Sequence, residues 1–198
     1  MAIYHLEAKV VSRGAGRSAV AASAYLSCSR LYNDYDGIQH DYTKKQGLVW
    51  QEVFLPEYAP QEWKDREQLW NAVEEVETAK DSRLAREFVV ALPIELSREE
   101  QIELLQEFIR EQFVSDGMCA DAAIHDTDGH NPHAHILLTV QMCIRDRLLY
   151  QPSLASSRAA FFFLGFVLFS RRITASLPMV CSSASYSSMN SRSRRVRP

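Results

Sequence analysis

The sequence predicts an α+β domain whose core is a five-stranded, mostly antiparallel sheet with helices packed on one face. Five segments show the apolar patterns of strands, and three segments between them show helical spacing. The last two strands are separated by seven residues, a distance typical of an antiparallel hairpin. The expected order is therefore βαβαβαββ, and polar residues are expected on the face without helices.

The first half of the chain supplies two strands and one helix. Residues 3–10 alternate, with Leu6, Ala8 and Val10 on the expected core side, and residues 12–16 form a glycine-containing turn. Ser18 can cap an alanine-rich helix over residues 19–32. Residues 33–46 are polar and rich in turn formers, and residues 48–55 form the second strand.

The remaining elements alternate in type. Apolar residues recur at helical spacing over residues 61–80, and residues 84–92 form a third strand closed by a proline. Ser97 and Glu100 have the spacing of a capping box, which opens a helix over residues 98–114. Strands over residues 120–125 and 133–140 follow, and a turn at residues 126–132 joins them.

The composition changes abruptly after residue 141. Residues 1–141 hold 13 basic and 24 acidic residues, a net charge of −11, whereas residues 142–198 hold nine arginines, one aspartate and twelve serines. The tail could be a basic nucleic-acid-binding arm or a membrane segment, although its apolar run of 11 residues is short against the roughly 20 that a spanning helix needs. We favour a frameshifted or chimeric, non-native tail without function, since residues 142–147 also resemble translated sequencing-adapter sequence. A domain over residues 1–141, truncated at its C-terminal end, is the expected result.

Cysteine usage and the N-terminus predict a cytoplasmic protein. The four cysteines have no paired spacing, and no secretory signal precedes the first strand. Free thiols and no membrane insertion are therefore expected.

A cluster of histidines carries the strongest chemical signal. His133 and His135 are two apart on a strand, so their side chains point the same way, and His125 ends the partner strand of the hairpin. Three imidazoles can bind one divalent metal ion, Mg²⁺ or Mn²⁺, and leave open positions for a phosphate oxygen. The alternative is a set of solvent-facing hairpin histidines, which is our interpretation of His130 in the turn.

Residues 1–140 resemble the N-terminal relaxase domain of the MobA/MobL family of plasmid mobilisation proteins. The resemblance is collinear and is carried by residues 1–6 (MAIYHL), the turn at residues 12–18, Ala24-Tyr25, residues 47–56, residues 85–93 (AREFVVALP) and residues 131–139 (NPHAHILLT). It implies that His125, His133 and His135 are the metal ligands and Tyr25 the nucleophile. It further implies strand-specific nicking at a transfer origin through a 5′-phosphotyrosine intermediate, and a sheet of the relaxase and rolling-circle-initiator type. Origin DNA, single-stranded or locally melted, and other mobilisation and transfer-apparatus proteins are the implied partners.

The residues around two further candidates leave alternatives open. Tyr25 is flanked by small residues that would let a DNA backbone approach, but a packed helix aromatic has the same pattern, and Tyr32 and Tyr35 lie nearby. Glu87 is expected on the histidine face of its strand, where it could orient a histidine or act as the base for Tyr25. A solvated strand glutamate is the alternative.

DNA binding should depend on phosphate contacts. The candidate residues precede, lie on or follow the predicted tyrosine-bearing helix. Because residues 1–141 carry a net negative charge, we expect these basic residues to form a local positively charged cleft on an otherwise acidic domain. They are Arg13, Arg17, Arg30, Lys44 and Lys45.

Two other functions are alternatives to that of a relaxase. A rolling-circle initiator or transposase usually has its His-x-His before its tyrosine, whereas Tyr25 here precedes the histidines by more than 100 residues. An inactive DNA-binding fragment is the third possibility, because the family domain normally continues beyond the His-x-His strand.

Overall fold

The structure, a computed structural model, describes residues 5–127 and 129–140, so the predicted tail lies outside the described residues. Short 3-10 turns at Arg13–Ala15 and Gln61–Lys64 precede the first two helices, and the last helix continues as a π-helical segment, Arg110–Val114. The elements are β1 Leu6–Ser12, α1 Ala19–Leu26, β2 Arg30–Asn33, β3 Ile38–Asp41, β4 Leu48–Phe54, α2 Arg66–Val76, β5 Arg83–Ala91, α3 Arg98–Ile109, β6 Ala120–His125 and β7 His133–Thr139.

The predicted α+β class and five-stranded sheet are confirmed. The strand order is β1-β5-β7-β6-β4, and every neighbouring pair is antiparallel. The central strand β7 and its interior neighbour β6 form the predicted hairpin. The residues at the turn end of that hairpin therefore lie near the middle of the sheet edge.

Helices cover both faces of the sheet, which corrects the expectation of helices on one face. Phe88, Ile136 and Leu138 pack beneath α3 and its π-helical extension. Ala123 and Leu137, which point the other way, pack against α1 and α2 in a second core. The physical reason is that β6 is buried along its whole length, so both of its faces need cover.

A second hairpin replaces the C-terminal half of the first predicted helix. The helix begins at Ala19 as predicted, with the Ser18 hydroxyl accepting from the Ala21 amide at 3.1 Å, but it ends at Leu26. Cys28 then adopts a left-handed backbone conformation with φ of 51°, which redirects the chain into β2. The segment expected to be a polar loop forms β3, so β2 and β3 make a separate two-stranded sheet.

Two smaller expectations also need correction. The predicted helix over residues 61–80 is interrupted at Asp65, whose carboxylate caps α2 by accepting from the amides of Glu67 and Gln68. In β1 the fully buried residue is Val11, which packs in the second core with residues of α1 and α2, whereas Val10 points to the other face and is 47% exposed. The capping box of Ser97 and Glu100 at the start of α3 is confirmed.

Candidate metal and nucleic-acid site

The three predicted histidines meet on one face of the β6–β7 hairpin. His125 and His133 are directly opposed in the register, and His135 pairs with Ala123, two residues before His125. The ring centroids are 5.1 Å apart for His125 and His135, 5.3 Å for His133 and His135, and 5.9 Å for His125 and His133. The register of a central hairpin thus brings together residues that are up to ten positions apart in the chain.

Each of these imidazoles has one ring nitrogen bound to an acceptor outside the cluster. Nε2 of His125 donates to the Leu26 carbonyl oxygen at 2.6 Å, and Nδ1 of His133 donates to the Asn131 carbonyl oxygen at 2.8 Å. Nδ1 of His135 faces Oε1 of Glu87 at 3.3 Å. Because a carbonyl oxygen only accepts, the first two contacts fix the tautomers of His125 and His133. Their second nitrogens, and Nε2 of His135, can carry a free lone pair.

The electrostatic environment keeps His125 neutral. Burial is the main cause that lowers the pKa of His125 to about 4, and the charges of Lys45 and of the two other histidines lower it further. The hydrogen bond to the Leu26 carbonyl oxygen acts in the opposite direction and raises the pKa. A neutral imidazole is the form that binds a metal ion.

The donor set fits a divalent metal ion, although the rings need a small adjustment to bind one. Among residues 5–127 and 129–140, no group of three or more His, Cys, Asp or Glu side chains is drawn together tightly enough to hold an ion as it stands. Imidazoles bound to one ion at about 2.1 Å would have ring centroids roughly 4.5–5.3 Å apart. Two of the three observed spacings are at that limit, so the adjustment mainly concerns the 5.9 Å pair, His125 and His133.

Tyr25 lies on the last turn of α1, one residue before the carbonyl that accepts from His125. Its side chain is 44% exposed, and its ring stands edge-on to Tyr42 with a centroid separation of 5.4 Å. The helix is fixed from behind by the Ser23 hydroxyl, which donates to the buried Asp121 carboxylate of β6 at 2.6 Å. The predicted nucleophile is thus accessible and lies on a helix end bonded to the histidine cluster.

Lys45 contacts both the ring and the backbone of Tyr25. Its Nζ lies 3.6 Å from the centroid of the Tyr25 ring and donates to the Tyr25 carbonyl oxygen at 3.2 Å. Partial burial lowers the pKa of Lys45, while the charges of Cys28 and Glu87 act in the opposite direction. Lys45 is therefore held against Tyr25 by two contacts and is not a freely solvated surface lysine.

Glu87 lies on the histidine face of β5, as predicted. Besides His135 it contacts Arg17, whose Nη2 is 3.3 Å from Oε2. The hydrogen bond with His135 is the largest influence that lowers the pKa of Glu87; burial opposes it, and Arg17 adds to it. Of the two roles left open by the sequence, these contacts support the orientation of a histidine.

The remaining predicted DNA contacts are spread over the surface or used within the fold. Arg13 is mostly buried and bonds to the Glu74 carboxylate at 3.0 Å and to carbonyl oxygens at the end of α2. Arg30 lies opposite Asp41 in the β2–β3 hairpin, and Lys44 is exposed in the loop after it. Only Arg17 and Lys45 are brought to the histidine and tyrosine cluster.

Several neighbours of the site have structural tasks. Asp126 forms an ion pair with Arg98 at 2.6 Å and accepts from the Gly129 amide, so it shapes the β6–β7 turn. His130 is exposed in that turn, and Tyr32 and Tyr35 lie on or beside the β2–β3 hairpin. The sequence did not predict the Leu26 and Asn131 carbonyls as histidine partners, because backbone acceptors have no sequence motif. It also did not predict the contact of the Tyr42 ring with Tyr25, because a contact between a loop and a helix has no motif either.

Comparisons with known proteins define the family. The family model described as the MobA/MobL family matches residues 17–153, more than half of the chain, and the chain therefore belongs to that family. The match extends twelve residues beyond the predicted domain boundary at residue 141, and that boundary stays a prediction.

Curated relatives and a solved structure agree with this assignment. The chain is 41% identical to the conjugal transfer protein TraA of Rhizobium radiobacter over 71% of this chain and 14% of that protein. It is 42% identical to a probable mobilization protein MobA of Bifidobacterium longum over 70% of this chain and 25% of that protein. A solved chain reported for the molecular basis of vancomycin resistance transfer in Staphylococcus aureus is 33% identical, with a TM-score of 0.78, covering 86% of this chain and 92% of that one. The chain thus spans a quarter or less of the length of these two curated relatives.

None of the helices within residues 5–127 and 129–140 has the length and apolar character required to cross a membrane.

Proposed function

We propose that this protein nicks one DNA strand at a plasmid transfer origin, with Tyr25 as the nucleophile and a divalent ion, Mg²⁺ or Mn²⁺, as the cofactor. The observation that carries the proposal is the cluster of three imidazoles, each with one ring nitrogen bonded outward, beside the helix end that bears Tyr25. Membership in a family whose relatives are named for mobilisation and conjugal transfer supports origin DNA as the substrate. Cytoplasmic action with other mobilisation proteins belongs to the same proposal.

The residues that would hold the ion are His125, His133 and His135, through the ring nitrogens that make no outward bond. When bound, a divalent ion there would polarise the scissile phosphate and offset the charge that develops on it. Glu87 orients His135 through Nδ1, and the Leu26 and Asn131 carbonyls orient the other two rings. These outward bonds reduce the reorganisation needed when the ion binds.

Tyr25 would attack the phosphorus through its phenolic oxygen. The new bond joins that oxygen to phosphorus as the bond between phosphorus and the 3′ oxygen breaks. The phenolic proton passes to solvent or a base, and the leaving 3′ oxygen takes up a proton from solvent to become a hydroxyl. The 5′ side of the nick stays attached to the protein as a phosphotyrosine diester. Since one phosphodiester replaces another, the reverse reaction can rejoin the strand without ATP.

A covalent-adduct assay tests the proposal. Full-length protein is incubated with a randomised single-stranded oligonucleotide library, with Mg²⁺, with Mn²⁺ or with EDTA, and adducts are separated under denaturing conditions. We expect metal-dependent adducts in which the protein is joined to the 5′ phosphate at a nick within one selected sequence. In Tyr25→Phe, which removes the nucleophile, we expect the amount of adduct to fall by at least about a thousandfold.

Tyr32→Phe and Tyr35→Phe are the matched variants, because both tyrosines are exposed and near in sequence. Adducts that persist in Tyr25→Phe and vanish in one of these variants would transfer the role of nucleophile. Sequence-specific binding without any adduct in the wild-type chain would favour a DNA-binding fragment and would overturn the proposal.

A further inference from the structure

The segment from Tyr42 to Gly47 is fixed at both ends against the candidate site. The Tyr42 amide donates to the Ser29 carbonyl oxygen at 3.0 Å, just after α1, and the Lys45 amide donates back to the Tyr42 carbonyl oxygen at 2.9 Å. At the other end the Gly47 carbonyl oxygen accepts from the Asp126 amide at 2.8 Å. The segment therefore bridges the end of the tyrosine-bearing helix and the turn that follows His125.

Gly47 keeps this bridge close to the β6–β7 turn. Its φ is 93°, a conformation that residues with a side chain rarely adopt, and an added Cβ would lie 2.9 Å from Oγ1 of Thr127. A side chain at this position would strain the backbone of the segment and would displace the Thr127 hydroxyl.

Two side chains of this segment contact the Tyr25 ring from different directions. The ammonium of Lys45 lies over the ring face, and the Tyr42 ring meets it edge-on. The second bond of Lys45, to the Tyr25 carbonyl oxygen, fixes the ammonium relative to the backbone that carries the ring. The Tyr25 ring is thus contacted by an ammonium over its face and by a second ring nearly perpendicular to it, while the residue stays 44% exposed.

We propose that Lys45 is a positioning residue that holds the Tyr25 ring for attack, so that it sets the rate of adduct formation more than the affinity for DNA. The proposal rests on the proposed function of Tyr25 and differs from the expectation that Lys45 is one phosphate contact among several. The physical basis is that a cation over an aromatic face is attracted by the ring, and that a nucleophile restrained near its attack geometry reacts faster.

Two lysines that are adjacent in sequence provide a matched comparison. Lys44 is exposed in the loop, whereas the ammonium of Lys45 lies over the Tyr25 ring. With the oligonucleotide selected by the wild-type chain, we expect Lys45→Met to slow adduct formation at saturating DNA by about tenfold, within the range of a cation–π contact, and to change the dissociation constant by less than about threefold. Lys45→Arg, which keeps the cation, should restore most of the rate. Lys44→Met should weaken DNA binding and reduce its salt dependence by about one ion.

A second measurement is independent of nicking. The chain is labelled with 3-fluorotyrosine, the Tyr25 resonance is assigned by its absence in Tyr25→Phe, and its shift and line width are compared without DNA. We expect Lys45→Met and Gly47→Ala to move or narrow this resonance, and Lys44→Met to leave it in place.

The outcomes separate the two proposals. A Lys45→Met variant with an unchanged saturating rate and weakened, salt-sensitive DNA binding overturns the positioning role, as does an unaltered Tyr25 resonance. A wild-type chain that forms no adduct overturns the proposed function and the predicted effect on rate, while the fluorine spectra still decide whether Lys45 holds the ring.

Discussion

The two ends of one sheet face, both built from β6 and β7, use polar side chains in opposite ways. At the closed end Asp121 is fully buried, and its carboxylate accepts from Ser23, Trp70 and Arg66 at 2.6–3.1 Å. At the open end each of the three histidines makes one outward bond, and its second ring nitrogen can carry a free lone pair.

The difference separates a structural polar cluster from a candidate functional one. A buried carboxylate with three donors stabilises only one arrangement of the elements around it, and here it joins α1, α2 and β6. Burial raises the pKa of Asp121, although Arg66 and the other donors act to lower it. The same helix that this cluster fixes carries Tyr25 to the open end, so the closed end determines where the proposed nucleophile lies.

The largest predicted effect concerns the closed end. Asp121→Ala leaves a guanidinium, an indole N–H and a hydroxyl without their acceptor, and we expect a loss of about 3–5 kcal/mol in the free energy of unfolding. Asp121→Asn, which keeps the size and one acceptor oxygen, should lose less. Urea denaturation of the three proteins measures this, and a loss below about 1 kcal/mol for Asp121→Ala would remove the contrast between the two ends.

The next effect concerns metal affinity at the open end. His133→Ala removes a proposed ligand, and we expect the affinity for Mn²⁺ to fall by about a hundredfold or more in calorimetric titration. The free energy of unfolding without metal should change by less than about 1.5 kcal/mol, because only one hydrogen bond to a carbonyl is lost. His130→Ala, in the adjoining turn, is the control for a general effect of histidine removal. Equal Mn²⁺ affinity in His133→Ala and the wild type would contradict the metal site.

A smaller effect is expected for the carboxylate behind His135. Glu87→Gln keeps the shape of the side chain but removes its charge, so we expect Mn²⁺ affinity to fall by about tenfold, as for other carboxylates that orient metal-binding histidines. Glu103→Gln, on the exposed side of α3, removes the same charge at a distance. Loss of the same size in both variants would indicate a general electrostatic effect rather than orientation.

The smallest predicted effect is on the pH dependence of stability. The pKa of Glu87 is held below its ordinary value of 4.5, mainly by the hydrogen bond with His135 and further by the guanidinium of Arg17. The ammonium groups of Lys9 and Lys45 are also close enough to interact with Glu87. A carboxyl with a lowered folded-state pKa stabilises the fold above its unfolded-state pKa and loses that contribution as the pH falls through the folded-state pKa. We expect urea titrations between pH 6 and pH 3 to show a weaker acid-induced loss in Glu87→Gln than in the wild type. Identical pH profiles would assign the acid sensitivity to other carboxylates.

Local patterns were sufficient to predict the elements that form the histidine hairpin. The spacing of His133 and His135 with apolar residues between and after them, the seven-residue turn and the capping box of α3 depend on neighbours in sequence, and all three are present. The hairpin register then follows, and with it the meeting of His125 with His133 and His135.

Local patterns failed where a long-range contact decides the conformation. Residues 19–32 have the composition of one helix, yet the left-handed Cys28 ends it, and β2 pairs with β3 instead. Arg13 looked like a DNA contact because it is a basic residue before the helix, but the end of α2, more than 60 residues away, uses its guanidinium.

The sequence by itself determined the five strands, the start of the tyrosine-bearing helix and the set of three histidines, because periodicity, caps and spacing are properties of short segments. Only the tertiary structure decided that both sheet faces carry helices, that the Leu26 and Asn131 carbonyls and Glu87 engage one nitrogen of each ring, and that Lys45 lies over Tyr25. The physical reason is that burial, hydrogen-bond acceptors and charge contacts are set by residues brought together from distant parts of the chain.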